Sequence, residues 1–105
     1  MITREEILRA ANAIVNGERE GQYGSPEDNF SRIAMLWNGY LSGSITRVLT
    51  PVDVAMMMTL MKVARTVTGT GSMDTFVDIA GYAACGGELF SFEKDKKGET
   101  KNENE

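Results

Sequence analysis

A chain of 105 residues, 25 % charged and 42 % apolar, has the size and make-up of one domain with room for a modest core. Its net charge of −4 argues against a dedicated nucleic-acid binder, and no histidine with one cysteine excludes an internal disulfide and nearly excludes a zinc-type site. Hard, oxygen-ligated ions such as Mg²⁺ or Mn²⁺ are the metals that remain. The first residues are polar and acidic, unlike a signal peptide, and the longest apolar run, Val54 to Met58, is too short to span a bilayer. The expected setting is the cytoplasm, with no membrane partner.

Thr3 opens a first helix with a capping box, its hydroxyl capping the helix while Glu6 reaches back. Ile7, Leu8, Ala11, Ile14 and Val15 recur at helical spacing as one apolar stripe. Gly17 weakens or ends it. Residues 22–29 read as a loop running into a second helix, with Ser25 as N-cap, Pro26 in the first helical position and Asp28 in the first turn. Phe30, Ile33, Ala34, Trp37 and Leu41 form its stripe, and Ser42-Gly43-Ser44 ends it. The connection Ile45–Leu49 carries a single charge, Arg47.

Thr50-Pro51-Val52-Asp53 repeats the arrangement of cap, proline and acid and opens a third helix reaching Val67. That helix is apolar on nearly every side, with Met56, Met57, Met58 and Met61 in its middle, so burial on more than one face is expected. In a chain with so few other elements, a second subunit is the expected cover. On a helical wheel Asp53 lies with Met57, Leu60 and Ala64, whereas Lys62 and Arg65 lie nearly opposite, close to Met58.

Thr68-Gly69-Thr70-Gly71 forms a turn, and Ser72 starts a fourth helix. Asp74 and Asp78 fall four residues apart on one of its faces, where two like charges repel by roughly a few tenths of a kcal/mol. Their neighbours are mostly apolar, so the pair calls for a partner, either a divalent cation or a basic side chain. Gly81, one turn beyond Asp78, fits the close approach of a neighbouring backbone or a ligand, and Gly86-Gly87 marks a candidate kink. Cys85 reads as a small packing residue. Apolar residues stop at Phe92, so residues 1–92 are expected to form the domain and 93–105 a disordered polar tail. No stretch alternates at period two. The expected fold is therefore all-α, a four-helix antiparallel bundle completed by homo-oligomerisation into a dimer or tetramer.

A series of motifs runs along most of the chain: Glu18-Arg19 with Gln22-Tyr23-Gly24-Ser25-Pro26, Asn29-Phe30, Leu36-Trp37, Pro51-Val52-Asp53-Val54-Ala55, Lys62-Val63-Ala64-Arg65 and Asp74-Thr75-Phe76-Val77-Asp78-Ile79-Ala80-Gly81-Tyr82. Taken together it resembles the small phage-type proteins of unknown function related to the all-α MazG-like nucleotide pyrophosphohydrolases. That resemblance implies an oligomeric helical fold, Mg²⁺ held by carboxylates of two neighbouring helices, and cleavage of nucleoside triphosphates to monophosphate and pyrophosphate. Asp78 matches the aspartate of the second metal motif. Thr75 stands where its glutamate falls, with Asp74 the nearest acid; Asp53 matches one acid of the first motif, and Met56 stands at the other.

The resemblance implies Asp53, Asp74 and Asp78 as metal ligands, with Asp78 catalytic; Lys62 and Arg65, bases on a largely apolar helix that need anions, join it as catalytic groups, and Tyr23 and Ser25 at a helix N-terminus, with Lys62, Arg65 and Tyr82, are the expected substrate-binding set. Mg²⁺ would activate a water at the α-phosphate while the two bases neutralise the departing pyrophosphate. Each residue also has a purely structural reading. Asp74 in a first turn favours the helix dipole, Asp53 is the third residue of a capping box, and Asp78 can pair with Lys62 or Arg65. Tyr23 in its loop is a candidate for stacking on a base, whereas the stripe position of Trp37 favours the core. Three readings follow: a pyrophosphohydrolase, a protein that binds or sequesters a nucleotide without turnover, and a helical oligomerisation module.

Overall fold

In a computed structural model the described residues are 1–17, 25–67, 69 and 71–96, and among them the chain is all α-helix, with no strand. The helices are α1 (Arg4–Asn16), α2 (Pro26–Tyr40), α3 (Pro51–Val67) and α4 (Met73–Lys96). α4 packs against both α1 and α3, and α3 packs in turn against α2. The spatial order is therefore α1, α4, α3, α2, with the two longest helices in the middle.

All four helix starts are set by side chains. Thr3 Oγ1 accepts from the Glu6 amide at 3.2 Å while the Glu6 carboxylate accepts from the Thr3 amide at 2.8 Å, so the capping box is closed in both directions. Ser25 Oγ accepts from the Asp28 amide at 3.1 Å, with Pro26 at the first helical position. Thr50 and Asp53 close a second box, Asp53 N–H to Thr50 Oγ1 at 3.2 Å and Thr50 N–H to Asp53 Oδ2 at 2.8 Å. The start of α4 uses Thr75, whose hydroxyl accepts from the Ser72 amide at 3.0 Å. Each bond satisfies a donor that helix geometry leaves without an intrahelical partner.

The core lies between α2, α3 and α4. Val54 and Ala55 of α3 are fully buried and meet Phe30 and Ala34 of α2 and Cys85 and Leu89 of α4. Val15 of α1 and Ile33, Trp37, Met58 and Tyr82 pack around this cluster. The α2 stripe thus points inward, and Trp37 belongs to the core rather than to an open face. Leu8 of the α1 stripe departs from expectation by staying exposed.

The buried side chains of α3 and α4 are small, which lets the two helices approach closely. A Cβ on Gly86 would stand 3.0 Å from the Ala55 Cβ, and one on Gly81 would stand 3.3 Å from Val15 Cγ1. Gly81 therefore admits a side chain of α1, not a ligand. α4 runs without interruption through Gly86-Gly87, and Gly86 serves the contact with α3. The helix also continues past Phe92 to Lys96, beyond the end of the apolar pattern. Lys94 and Lys96 complement the dipole of its last turn, and Lys94 Nζ lies 5.2 Å from the Phe90 ring centroid.

Candidate functional site

Lys62 sits two turns beyond the buried start of α3, and Asp78 sits in the second turn of α4, on the helix packed against it. Their side chains meet, Nζ to Oδ2 at 2.9 Å, and are 18 % and 26 % exposed. Of the two partners open to Asp78 from the sequence, the base is thus the one in contact within this chain. An ion pair at this depth is screened less than one on the surface, yet both groups keep a path to solvent. Arg65 lies one turn further along α3, in its last turn, and is exposed.

Asp53 lies in the first turn of α3 and is committed to other partners. The Arg47 guanidinium grips it in a fork, Nη1 to Oδ2 at 2.7 Å and Nη2 to Oδ1 at 2.8 Å, while the Thr50 hydroxyl and amide donate to Oδ2. The Arg47 hydrogen bonds pull the Asp53 carboxyl down to about 2 from its usual 3.8; partial burial opposes the shift and the Thr50 amide reinforces it. This carboxylate is a bracket that ties the α2–α3 connection to the start of α3.

Among the described residues the other expected positions do not complete a set with these two. Asp74 is exposed in the first turn of α4, one turn before Asp78. Thr75, at the position where the resemblance places a glutamate, is 5 % exposed and spends its hydroxyl oxygen on the Ser72 amide. Among the described residues no three carboxylate, cysteine or histidine groups come together as a metal-holding set. Within one chain the described acids therefore do not assemble the full carboxylate set on two helices that the resemblance implies.

Of the expected substrate-binding residues, Ser25 caps α2 with its hydroxyl, and the Tyr82 ring leans on Phe30 with centroids 6.2 Å apart. Tyr23 lies outside the described residues. A cavity of about 220 Å³ opens at the α3–α4 turn, lined by Thr66, Gly69, Gly71, Ser72 and Phe76. Gly69 has φ +85°, and a Cβ on Gly71 would stand 3.1 Å from the Thr66 Cα, so both glycines are dictated by this tight turn. Neither Lys62 nor Asp78 lines the cavity.

Two residues with defined work escaped the sequence reading. Arg47 had a visible signal, since it is the lone charge of its connection and stands six residues before Asp53. Asn38 had none. Its carboxamide reaches out of α2 and holds both backbone polar groups of Leu49.

These features define a small all-α protein whose half-buried base–acid pair lies between two close-packed helices. The chain belongs to the family described as "Domain of unknown function (DUF6378)", which matches residues 6–90. It is similar to the Gene 55 protein of Mycobacterium phage D29, 49 % identical over 82 residues that make up 77 % of this chain and 51 % of that protein. It is also similar to the Gene 55 protein of Mycobacterium phage L5, 48 % identical over 77 residues, 73 % of this chain and 47 % of that protein. The chain thus spans about half the length of the curated relatives it matches. No solved structure matches it. Among the described residues no helix is long and apolar enough to cross a membrane.

Proposed function

We propose that this chain is a MazG-like, nucleotide-directed protein that engages phosphate through Lys62 and Arg65 and retains its ligand without hydrolysing it. The observation that carries the reading is the 2.9 Å pair of Lys62 and Asp78 at the α3–α4 contact. A lysine ammonium is a point charge suited to phosphate, and a second base one turn away extends the positive field along the same helix. The case against turnover rests on the acids. Asp53 is held by Arg47 and Thr50, and Thr75 replaces a carboxylate with a capping hydroxyl.

The second reading is Mg²⁺-dependent hydrolysis of a nucleoside or deoxynucleoside triphosphate to monophosphate and pyrophosphate. What favours it is Asp74 one turn before Asp78 on α4. Mg²⁺ commonly takes only one or two carboxylates and completes its shell with substrate phosphates and water.

Calorimetry and pyrophosphate release, run over a panel of nucleotides with and without Mg²⁺, separate the two. Stoichiometric binding without release, weakened at least about tenfold by Lys62→Met, is the expected result. Release that Asp78→Asn abolishes would transfer the conclusion to the hydrolase. Neither heat nor release with any nucleotide would overturn both readings and leave a helical oligomerisation module.

A further inference from the structure

α3 carries a second apolar stripe on the side away from the core. Met56, Leu60, Val63 and Val67 recur at spacings of four, three and four, the rhythm of a coiled-coil seam, and are 56, 65, 44 and 81 % exposed. On the helical wheel Val54 and Met58, which pack into the core, lie on the opposite side, and so do Lys62 and Arg65. Met57 and Met61 are less exposed and lie off this stripe, Met61 two turns along the helix from Val54. From Val54 to Met61 the helix carries no charged residue. A helix meant to present this face to water alternates lysine and glutamate there instead.

We infer that this stripe is the contact surface for a second copy of the chain, with α3 laid antiparallel on α3 about a two-fold axis between Leu60 and Val63. The pattern is its own complement, since spacings of four, three and four read the same in both directions. Antiparallel pairing about the middle sets Leu60 against the partner's Val63 and Met56 against the partner's Val67, the isologous contact that two-fold symmetry requires. The charges choose the same orientation. A parallel pair would align the two helix dipoles and bring the Asp53 ends together, whereas an antiparallel pair opposes the dipoles and separates those carboxylates.

The area also suits a second copy. The four side chains of the stripe at these exposures present on the order of 400 Å² of apolar surface, within the range of patches on soluble monomers that are often functional. That is about half of the ~800 Å² each partner gives to an interface of standard size, before any flanking contact is counted. The inference stands apart from the nucleotide reading, because it uses the face of α3 opposite to Lys62.

Light scattering after size-exclusion chromatography, over a micromolar concentration series of the full chain, tests the association. The expected mass is twice 11.5 kDa. Leu60→Glu should weaken dimerisation at least about 30-fold, the loss of a central interface side chain, while Leu60→Met should leave it intact. Far-UV circular dichroism should show unchanged helicity in Leu60→Glu, since Leu60 is not part of the core. Orientation is read by disulfide trapping: Met56→Cys mixed with Val67→Cys should cross-link, and Met56→Cys alone should not. A monomer throughout the series, including one that sediments with anionic vesicles, would overturn the inference. So would a dimer that Leu60→Glu leaves unchanged, or one in which Met56→Cys traps itself.

Discussion

Asn38 holds Leu49 by both of its backbone polar groups: Oδ1 accepts from the Leu49 N–H at 2.8 Å, and Nδ2 donates to the Leu49 carbonyl at 3.0 Å. One side chain from the last turn of α2 thereby does for an irregular connection what a neighbouring strand does in a sheet. The residues it fixes lead straight into the Thr50–Asp53 cap of α3, so the entry angle of that helix depends on a carboxamide eleven residues earlier.

Asn38→Ala removes both bonds and leaves part-buried backbone groups to find water. A loss of roughly 2 kcal/mol is expected from two bonds of about 1 kcal/mol each, measured by urea denaturation. Amide exchange should quicken at Leu49 before it quickens in α4. Asn38→Asp keeps one acceptor but no donor, and should fall between the two.

Arg47 and Asp53 give an acid-sensitive contribution whose sign is fixed. The folded carboxyl titrates at about 2 against a usual 3.8, so its stabilisation is complete above the higher value and is lost as pH falls through the lower one. The advantage of the wild-type chain over Arg47→Ala should therefore be constant near neutrality and shrink between about pH 4 and pH 2. Denaturant midpoints followed across that range are the measurement. A difference that grows on acidification would contradict the pairing.

Gly86 and Gly87 are neighbours on one helix with opposite expectations. Gly87 has nothing within 4 Å of a built Cβ, so Gly87→Ala should stabilise α4 by roughly 0.5–1 kcal/mol through helix propensity alone. At Gly86 the added carbon meets the Ala55 Cβ at 3.0 Å, and a Cβ cannot swing aside as the end of a long side chain can. Overpacking of about 1–3 kcal/mol outweighs the propensity gain there, so Gly86→Ala should destabilise and Gly86→Val should do so more. Thermal melts of the three variants decide it.

Lys62 and Asp78 form a pair whose disruption is asymmetric. Lys62→Met or Asp78→Leu alone leaves one charge at the α3–α4 contact without its neighbour, at a cost on the order of 1–3 kcal/mol. The double variant should be more stable than the sum of the singles by roughly 1 kcal/mol. Equilibrium unfolding of the four chains in the cycle provides the number.

The helices were legible because their ends are written locally. Thr3 with Glu6, Ser25 before Pro26, and Thr50 with Asp53 each announce a helix start within four residues, and the structure closes all three caps. The α2 stripe was equally readable, with Phe30 and Ala34 buried as the 3.6-residue period requires. Contacts between elements were harder. The pairing of Lys62 with Asp78 was one of two options for each group, and only the packing of α4 on α3 joins them. Gly81 and Gly86 declared a close approach without saying to what, because a missing side chain names no neighbour. Asn38 gave no signal, since its partners are backbone atoms that every residue possesses. The far end of α4 was misjudged because a helix with lysines in its last turn continues on charge and dipole after its apolar residues have ended.

The smallness of the side chains between α3 and α4 has a calorimetric consequence. Unfolding raises the heat capacity in proportion to the apolar surface it newly wets, and in each chain by itself that surface is limited to a small cluster in which Phe30, Ile33, Trp37, Met58, Tyr82 and Leu89 are the large members and the rest are alanine, valine and cysteine. The heat-capacity increment of an isolated chain should therefore lie below the ~12–15 cal/mol/K per residue usual for globular domains. Its stability curve is correspondingly flat. Cooling removes little from it, and cold denaturation lies further from the working range than it does for a domain with a large apolar interior.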